Sequence, residues 1–157
     1  MMTENNETKT PIAIERSIWI DARLEKAWQA VTQVQHLNQW YATYYHWEIP
    51  TLEVGTAVRF YNKGDYDDAQ IATIEVVDVP RQFTVRWQPA PDYPQTALVT
   101  SFLLVEENGG TRVTISESGY ETVPENERQQ WLDNTGGGYT MSMENLKAYL
   151  EGRPLPH

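Results

Sequence analysis

Gly109-Gly110-Thr111-Arg112-Val113-Thr114-Ile115 closes a long β-rich body, and Leu146-Lys147-Ala148-Tyr149-Leu150-Glu151-Gly152 closes the helix that follows it. The first stretch leaves an Asn108-Gly109 turn and then alternates polar with apolar residues, as a half-buried strand does. The second ends a segment in which Tyr139, Met143, Leu146 and Leu150 recur at helical spacing, with Tyr149 flanking. A single C-terminal helix must bury such a stripe, and the preceding sheet is the only surface large enough. If the sheet curls around the helix, the space between them becomes a pocket. The expected fold class is therefore α+β: a curved antiparallel sheet wrapped around a long C-terminal helix, in the order β-α-α, six strands, α.

The elements upstream follow the same periodicities. Ile12, Ile14, Ile18 and Ile20 alternate with Ala13, Glu15, Ser17 and Trp19 in a first strand. Asp21 is expected to cap a helix through Ala30 that presents Leu24, Ala27, Trp28 and Val31 on one face. A second short helix, Val34 to Trp40, presents Leu37 and Trp40. Strands are expected at Tyr45 to Ile49, Ala57 to Asn62, Gln70 to Val77, Gln82 to Gln88, Ala97 to Val105 and Thr111 to Ser118. Turn residues separate them: Val54-Gly55, Gly64-Asp65, Val79-Pro80, Pro89 to Pro94 and Asn108-Gly109. Pro124 to Asp133 reads as a short helix. Gly136-Gly137-Gly138 reads as a flexible entry before a separate final helix to Glu151. Residues 1–11 read as a disordered tail, 12–152 as one domain and 153–157 as a short tail.

Composition narrows the function classes. At 157 residues a single domain buries roughly 70% of its unfolded surface. It needs no disulfide, and the chain has no Cys. With no apolar leader at the N-terminus, a reducing, cytoplasmic location is expected. No apolar run approaches the roughly 18 residues of a spanning helix. The net charge of −10, with no basic cluster, disfavours nucleic acid and anionic membrane as partners. Six Trp and nine Tyr either fill a core or line a site.

Several stretches together resemble the START-like helix-grip superfamily, specifically single-domain relatives of the activator of heat-shock-protein-90 ATPase. They are Ile18-Trp19-Ile20-Asp21-Ala22 leading into Ala27-Trp28, then His36-Leu37-Asn38-Gln39-Trp40, then Ile74-Glu75-Val76 before Pro80-Arg81-Gln82-Phe83 and Trp87. The likeness is densest in Val99-Thr100, Gly109 to Thr114, Ser118-Gly119-Tyr120 and Asn145 to Leu150. Arg23 stands where the family usually has Pro, Tyr139 where it has Trp, and the small Ser101 where an inward aromatic is usual. The resemblance implies an antiparallel sheet gripping the C-terminal helix, a cavity between them, and pairing of the first strand with the last.

The candidate site is an inward aromatic set, Trp40, Trp47, Phe60, Trp87, Tyr139 and Met143, with Val85, Val99 and Ser101 completing a cavity wall. Large aromatics with polar edges suit a pocket for an apolar or amphipathic small molecule. Arg16 interrupts the apolar face of the first strand, and Glu117 continues that of Val113 and Ile115. The two are expected to pair on the concave side, because a buried charge needs a partner. With Tyr120 they form the expected polar anchor. No cofactor or metal is expected. Asp65, Asp67 and Asp68 lack calcium-loop spacing, and His36, His46 and His157 lack ligand spacing. No nucleophile with its base and orienting acid is found, and the glycine triplet lacks the Lys-Ser/Thr of a phosphate loop. The reading is ligand binding. The alternatives are a protein-interaction domain like that of the chaperone activator, and a cyclase-like enzyme whose acid–base pair would be Arg16 with Glu117.

Overall fold

Period-two alternation in seven segments builds one antiparallel sheet, in a computed structural model that describes residues 10–41 and 45–157. Residues 1–9 of the expected tail lie outside the described residues. The strands are β1 (Ala13–Ile20), β2 (Tyr45–Glu48), β3 (Ala57–Asn62), β4 (Gln70–Asp78), β5 (Gln82–Trp87), β6 (Val99–Glu107) and β7 (Gly110–Ser118). Their order across the sheet is β1-β7-β6-β5-β4-β3-β2. Hairpins join β2 through β7 in sequence. Only β1 pairs out of order, antiparallel to β7, as the resemblance implies. The curled sheet and its long helix form the expected helix-grip α+β fold.

Register decides which side chains face inward. Ile14 lies opposite Glu117, Glu117 opposite Thr100, Thr100 opposite Val85 and Val85 opposite Ile74, so one concave row crosses five strands. The next row runs Arg16, Ile115, Phe102, Phe83 and Val77. Arg16 and Glu117 therefore both belong to the concave face, as expected, but in different rows. The sheet's apolar inner residues, including Ile74, Phe83, Phe102, Leu104, Val113 and Ile115, are buried beneath the helices.

Helix α1 (Leu24–Thr32) buries Leu24, Ala27, Trp28 and Val31, and α2 (Val34–Trp40) buries Leu37 and Trp40. Asp21 does not cap α1. The helix starts after Arg23, whose extended backbone carries no side-chain cap. The Asp21 backbone N–H instead donates to Glu151 Oε2 at 3.0 Å, tying the start of α1 to the far end of the chain.

The C-terminal helix α3 (Glu125–Leu150) is continuous over 26 residues and runs through Gly136-Gly137-Gly138. The expected short helix, flexible entry and separate final helix are one element. Each internal glycine costs about 1 kcal/mol relative to Ala, so propensity alone predicts a break. Packing overrides it. Gly136 is buried facing β1, where an added Cβ would stand 2.6 Å from the movable Arg16 guanidinium and 3.9 Å from Ile14 Cγ2. Nothing in the structure explains Gly137, around which a Cβ would meet no atom within 4 Å.

Tyr139, Met143 and Leu146 are buried in the expected stripe. Lys147 lies off this stripe but is tied down. Its Nζ donates to the Trp19 carbonyl at 2.8 Å, bonds Glu151 at 2.7 Å and sits 5.2 Å from the Trp19 ring centre. The residues after the helix turn back along it: the His157 backbone N–H donates to Asn145 Oδ1 at 3.0 Å. No helix among the described residues is long and apolar enough to cross a membrane.

Glu151 makes this end of the fold acid-sensitive. The Asp21 N–H, then Lys147 and Arg153, hold its carboxyl down to about 2. An unfolded Glu titrates near 4.3. A depressed folded pKa contributes stability that is complete above the unfolded value and is lost as pH falls from about 4.3 to about 2. Thermal melts should therefore separate wild type from Glu151→Gln at pH 7 and converge near pH 2. A constant gap across that window would show that Glu151 does not carry the effect.

Candidate binding cavity

Helix α3 carries a second stripe besides its buried one. Trp131, Thr135, Gly138, Ser142 and Asn145 recur three and four residues apart and face a gap between the helix and the β2 to β5 half of the sheet. From the sheet side come Phe60, Gln70, Trp87 and Glu117. The segment 88–98 closes one flank with Tyr93, Thr96 and Leu98, and Tyr41 and Tyr45 close the other. The cavity measures about 740 Å³. The 88–98 segment is fastened to the helix at one point, where Tyr93 OH donates to Glu127 Oε1 at 2.8 Å and its ring meets Trp131 edge-on at 5.0 Å.

One inner wall is aromatic. Phe60 stacks on Tyr45 at 4.8 Å between ring centres and meets Tyr41 edge-on at 5.6 Å and Trp87 at 6.0 Å. Trp47, wholly buried, backs this wall at 4.7 Å from Phe60 and 5.8 Å from Trp87.

The other inner feature is a carboxylate. Glu117 is 6% exposed and lines the cavity. Its Oε2 accepts from Thr100 Oγ1 at 2.5 Å, and its Oε1 accepts from Tyr120 OH. The Trp87 indole N–H donates to Thr100 Oγ1 at 2.8 Å. An indole nitrogen is a donor only, so the Thr100 hydroxyl proton is left for Glu117. Local chain geometry brings Tyr120 there. Gly119, at φ 101°, reverses the chain just beyond β7, and a short 3₁₀ turn over Tyr120–Thr122 swings the phenol back under the strand. Three phenols surround this charge. Burial raises the hydroxyls of Tyr41, Tyr120 and Tyr139 above the usual tyrosine range, and the charge of Glu117 raises each further. They remain neutral hydrogen-bonding groups at physiological pH.

Of the residues singled out from sequence, Phe60, Trp87, Tyr139, Glu117 and Tyr120 line this cavity. Trp40, Trp47, Val85 and Met143 are buried beside it as core and do not line it. Val99 and Ser101 belong to neither group. Phe102 opposite Phe83 and Thr100 opposite Val85 take the inward positions of β6, so Ser101 faces outward, where it bonds Thr84 at 2.7 Å. The inward aromatic that Ser101 seemed to replace is Phe102, one residue later.

The expected Arg16–Glu117 pair does not form. Arg16 lies opposite Ile115, one row away, and is exposed. Its guanidinium donates to Thr140 Oγ1 and to the Glu15 carbonyl, each at 3.0 Å. Sequence reading missed Tyr41, Tyr45, Tyr93, Trp131, Thr135, Ser142 and Asn145. The four of these on α3 share with Gly138 a spacing that a break at the glycines conceals. Among the described residues no cluster of three His, Asp or Glu side chains could hold a metal ion.

The sequence matches the family described as Activator of Hsp90 ATPase homolog 1-like protein over residues 21–151. The chain belongs to that family. Its membership places it in the START-like helix-grip superfamily. No curated protein sequence matches the chain. Its structure is similar to that of a Mesorhizobium loti protein at 20% identity, covering 93% of this chain and 100% of the other, with a TM-score of 0.73. The Aha1 dimer from Colwellia psychrerythraea is similar at 19% identity over 89% of this chain and 96% of the other, with a TM-score of 0.70. DynU16, of the dynemicin biosynthetic locus, is similar at 21% identity over 92% of this chain and 49% of the other, with a TM-score of 0.70. At these identities the three share the helix-grip fold with this Activator of Hsp90 ATPase homolog 1-like chain.

Proposed function

We propose that this chain binds a small apolar or amphipathic molecule between its sheet and α3. The observation that carries this reading is the cavity of about 740 Å³, within the size range of small-molecule sites, walled by Tyr45, Phe60, Trp87 and Trp131. Burial of a ligand there gains roughly 25 cal/mol per Å² of apolar area removed from water. Glu117, with its hydroxyl donors Thr100 and Tyr120, orients the polar end. The cyclase-like alternative rested on Arg16 acting with Glu117, and the register separates them. The protein-interaction alternative would use the outer surface. The large exposed apolar side chains there, Val54, Tyr66, Val79 and Val105, stand on different turns and strands, as single surface hydrophobics commonly do.

The neutral probe N-phenyl-1-naphthylamine tests the reading, because it fluoresces in apolar surroundings. One saturable site is expected per chain. Gly138 lines the cavity, and a Cβ there meets nothing within 4 Å, so Gly138→Trp should fill the space while the protein stays folded. Loss of the probe signal in that variant is the expected result. An unchanged signal, or no binding by the wild type, would overturn the proposal.

A further inference from the structure

The inner end of the cavity carries a carboxylate that no lysine or arginine of the described residues answers. Glu117 is nine-tenths buried, yet among the described residues no Lys or Arg lines the cavity, the imidazole of His157, which does, is engaged by Glu144 at 2.5 Å, and Arg16 is turned to Thr140. Its two oxygens accept one hydroxyl each, from Thr100 and Tyr120. A carboxylate offers about four lone-pair sites, so each oxygen keeps acceptor capacity. A buried carboxylate held only by neutral hydroxyls is short of the compensation that buried charges ordinarily receive.

The wall beside it is suited to supply the rest of a cation site. Tyr41, Tyr45, Phe60 and Trp87 all line the cavity, and Phe60 touches the other three rings. Aromatic faces carry negative potential and attract organic cations, more strongly where water is excluded. Trp87 belongs to both parts, since its ring joins the wall and its N–H orients Thr100 toward Glu117. The net charge of −10 adds a long-range field of the same sign. An anionic amphiphile such as a fatty acid would meet every one of these features as repulsion.

We propose that the cavity selects an organic cation, with an ammonium or amidinium head against Glu117 and an apolar body along the aromatic wall. This inference rests on the cavity-binding reading above and specifies its ligand class.

Three probes of equal chain length separate the two ideas: decylammonium, decanol and decanoate, titrated calorimetrically into the full chain at pH 7 below their aggregation concentrations. Decylammonium should bind about tenfold or more tighter than decanol, with decanoate weakest. Glu117→Gln should abolish the preference, bringing decylammonium to the level that decanol shows in the same variant. Tyr45→Leu, at the partly exposed mouth of the wall, keeps the test open if the Gln variant folds poorly. It should weaken decylammonium severalfold more than it weakens decanol. If decanol or decanoate matches decylammonium in the wild type, or if the folded variants keep the full preference, the cation inference falls and the cavity reading stands. If none of the three binds, both fall.

Discussion

Leu146→Ala is expected to lower the unfolding free energy by about 2–5 kcal/mol, the range for deleting a buried leucine where neighbours relax only in part. Leu146 is fully buried in the α3 stripe with Tyr139 and Met143. This stripe holds the helix over the sheet, so its loss also loosens the roof of the cavity. Urea denaturation gives the value directly. The neighbouring Lys147→Ala supplies the internal comparison. It removes the bonds to the Trp19 carbonyl and Glu151, but at a partly exposed site, and should cost roughly 1 kcal/mol. Equal losses at the two positions would mean that the helix does not bury the face described.

Gly119→Ala is the second large effect, and it joins stability to the site. At φ 101° any L side chain is strained by roughly 1–2 kcal/mol. An added Cβ would also fall 2.0 Å from the Ala97 carbonyl oxygen, a backbone atom that cannot turn aside. Forced repacking typically adds about 1–3 kcal/mol, so a total of roughly 2–5 kcal/mol is expected. The same shift would carry Tyr120 away from Glu117, and binding of N-phenyl-1-naphthylamine should weaken with it. Gly64→Ala is the control. Gly64 has a similar φ of 95° with open space around its Cβ position, so it should show the conformational cost alone. If the two variants lose the same stability, the close approach to Ala97 does not matter.

The candidate site was legible where a local signal sufficed. Phe60, Trp87, Tyr139, Glu117 and Tyr120 stand out by residue type and by position in their strand, turn or helix, and all line the cavity. The errors have separate causes. Val99 and Ser101 fail by a one-residue slip, which sends a strand's entire set of side chains to the opposite face. Trp40, Trp47, Val85 and Met143 point inward as expected, but they lie where the helices close on the sheet, and inwardness alone does not separate core from cavity wall.

What the amino-acid sequence by itself determined is the order of elements, the antiparallel sheet and the helix that it grips. Those follow from periods of two and 3.6 residues and from turn residues, all properties of a few neighbouring positions. The tertiary structure alone decided two matters. Glu117 meets Thr100 and Tyr120 in place of Arg16, because partner choice depends on the register between β1 and β7, strands separated by most of the chain. Helix α3 runs unbroken through three glycines, because the free energy of burying its stripe against β1 and the core exceeds the local penalty that those residues impose.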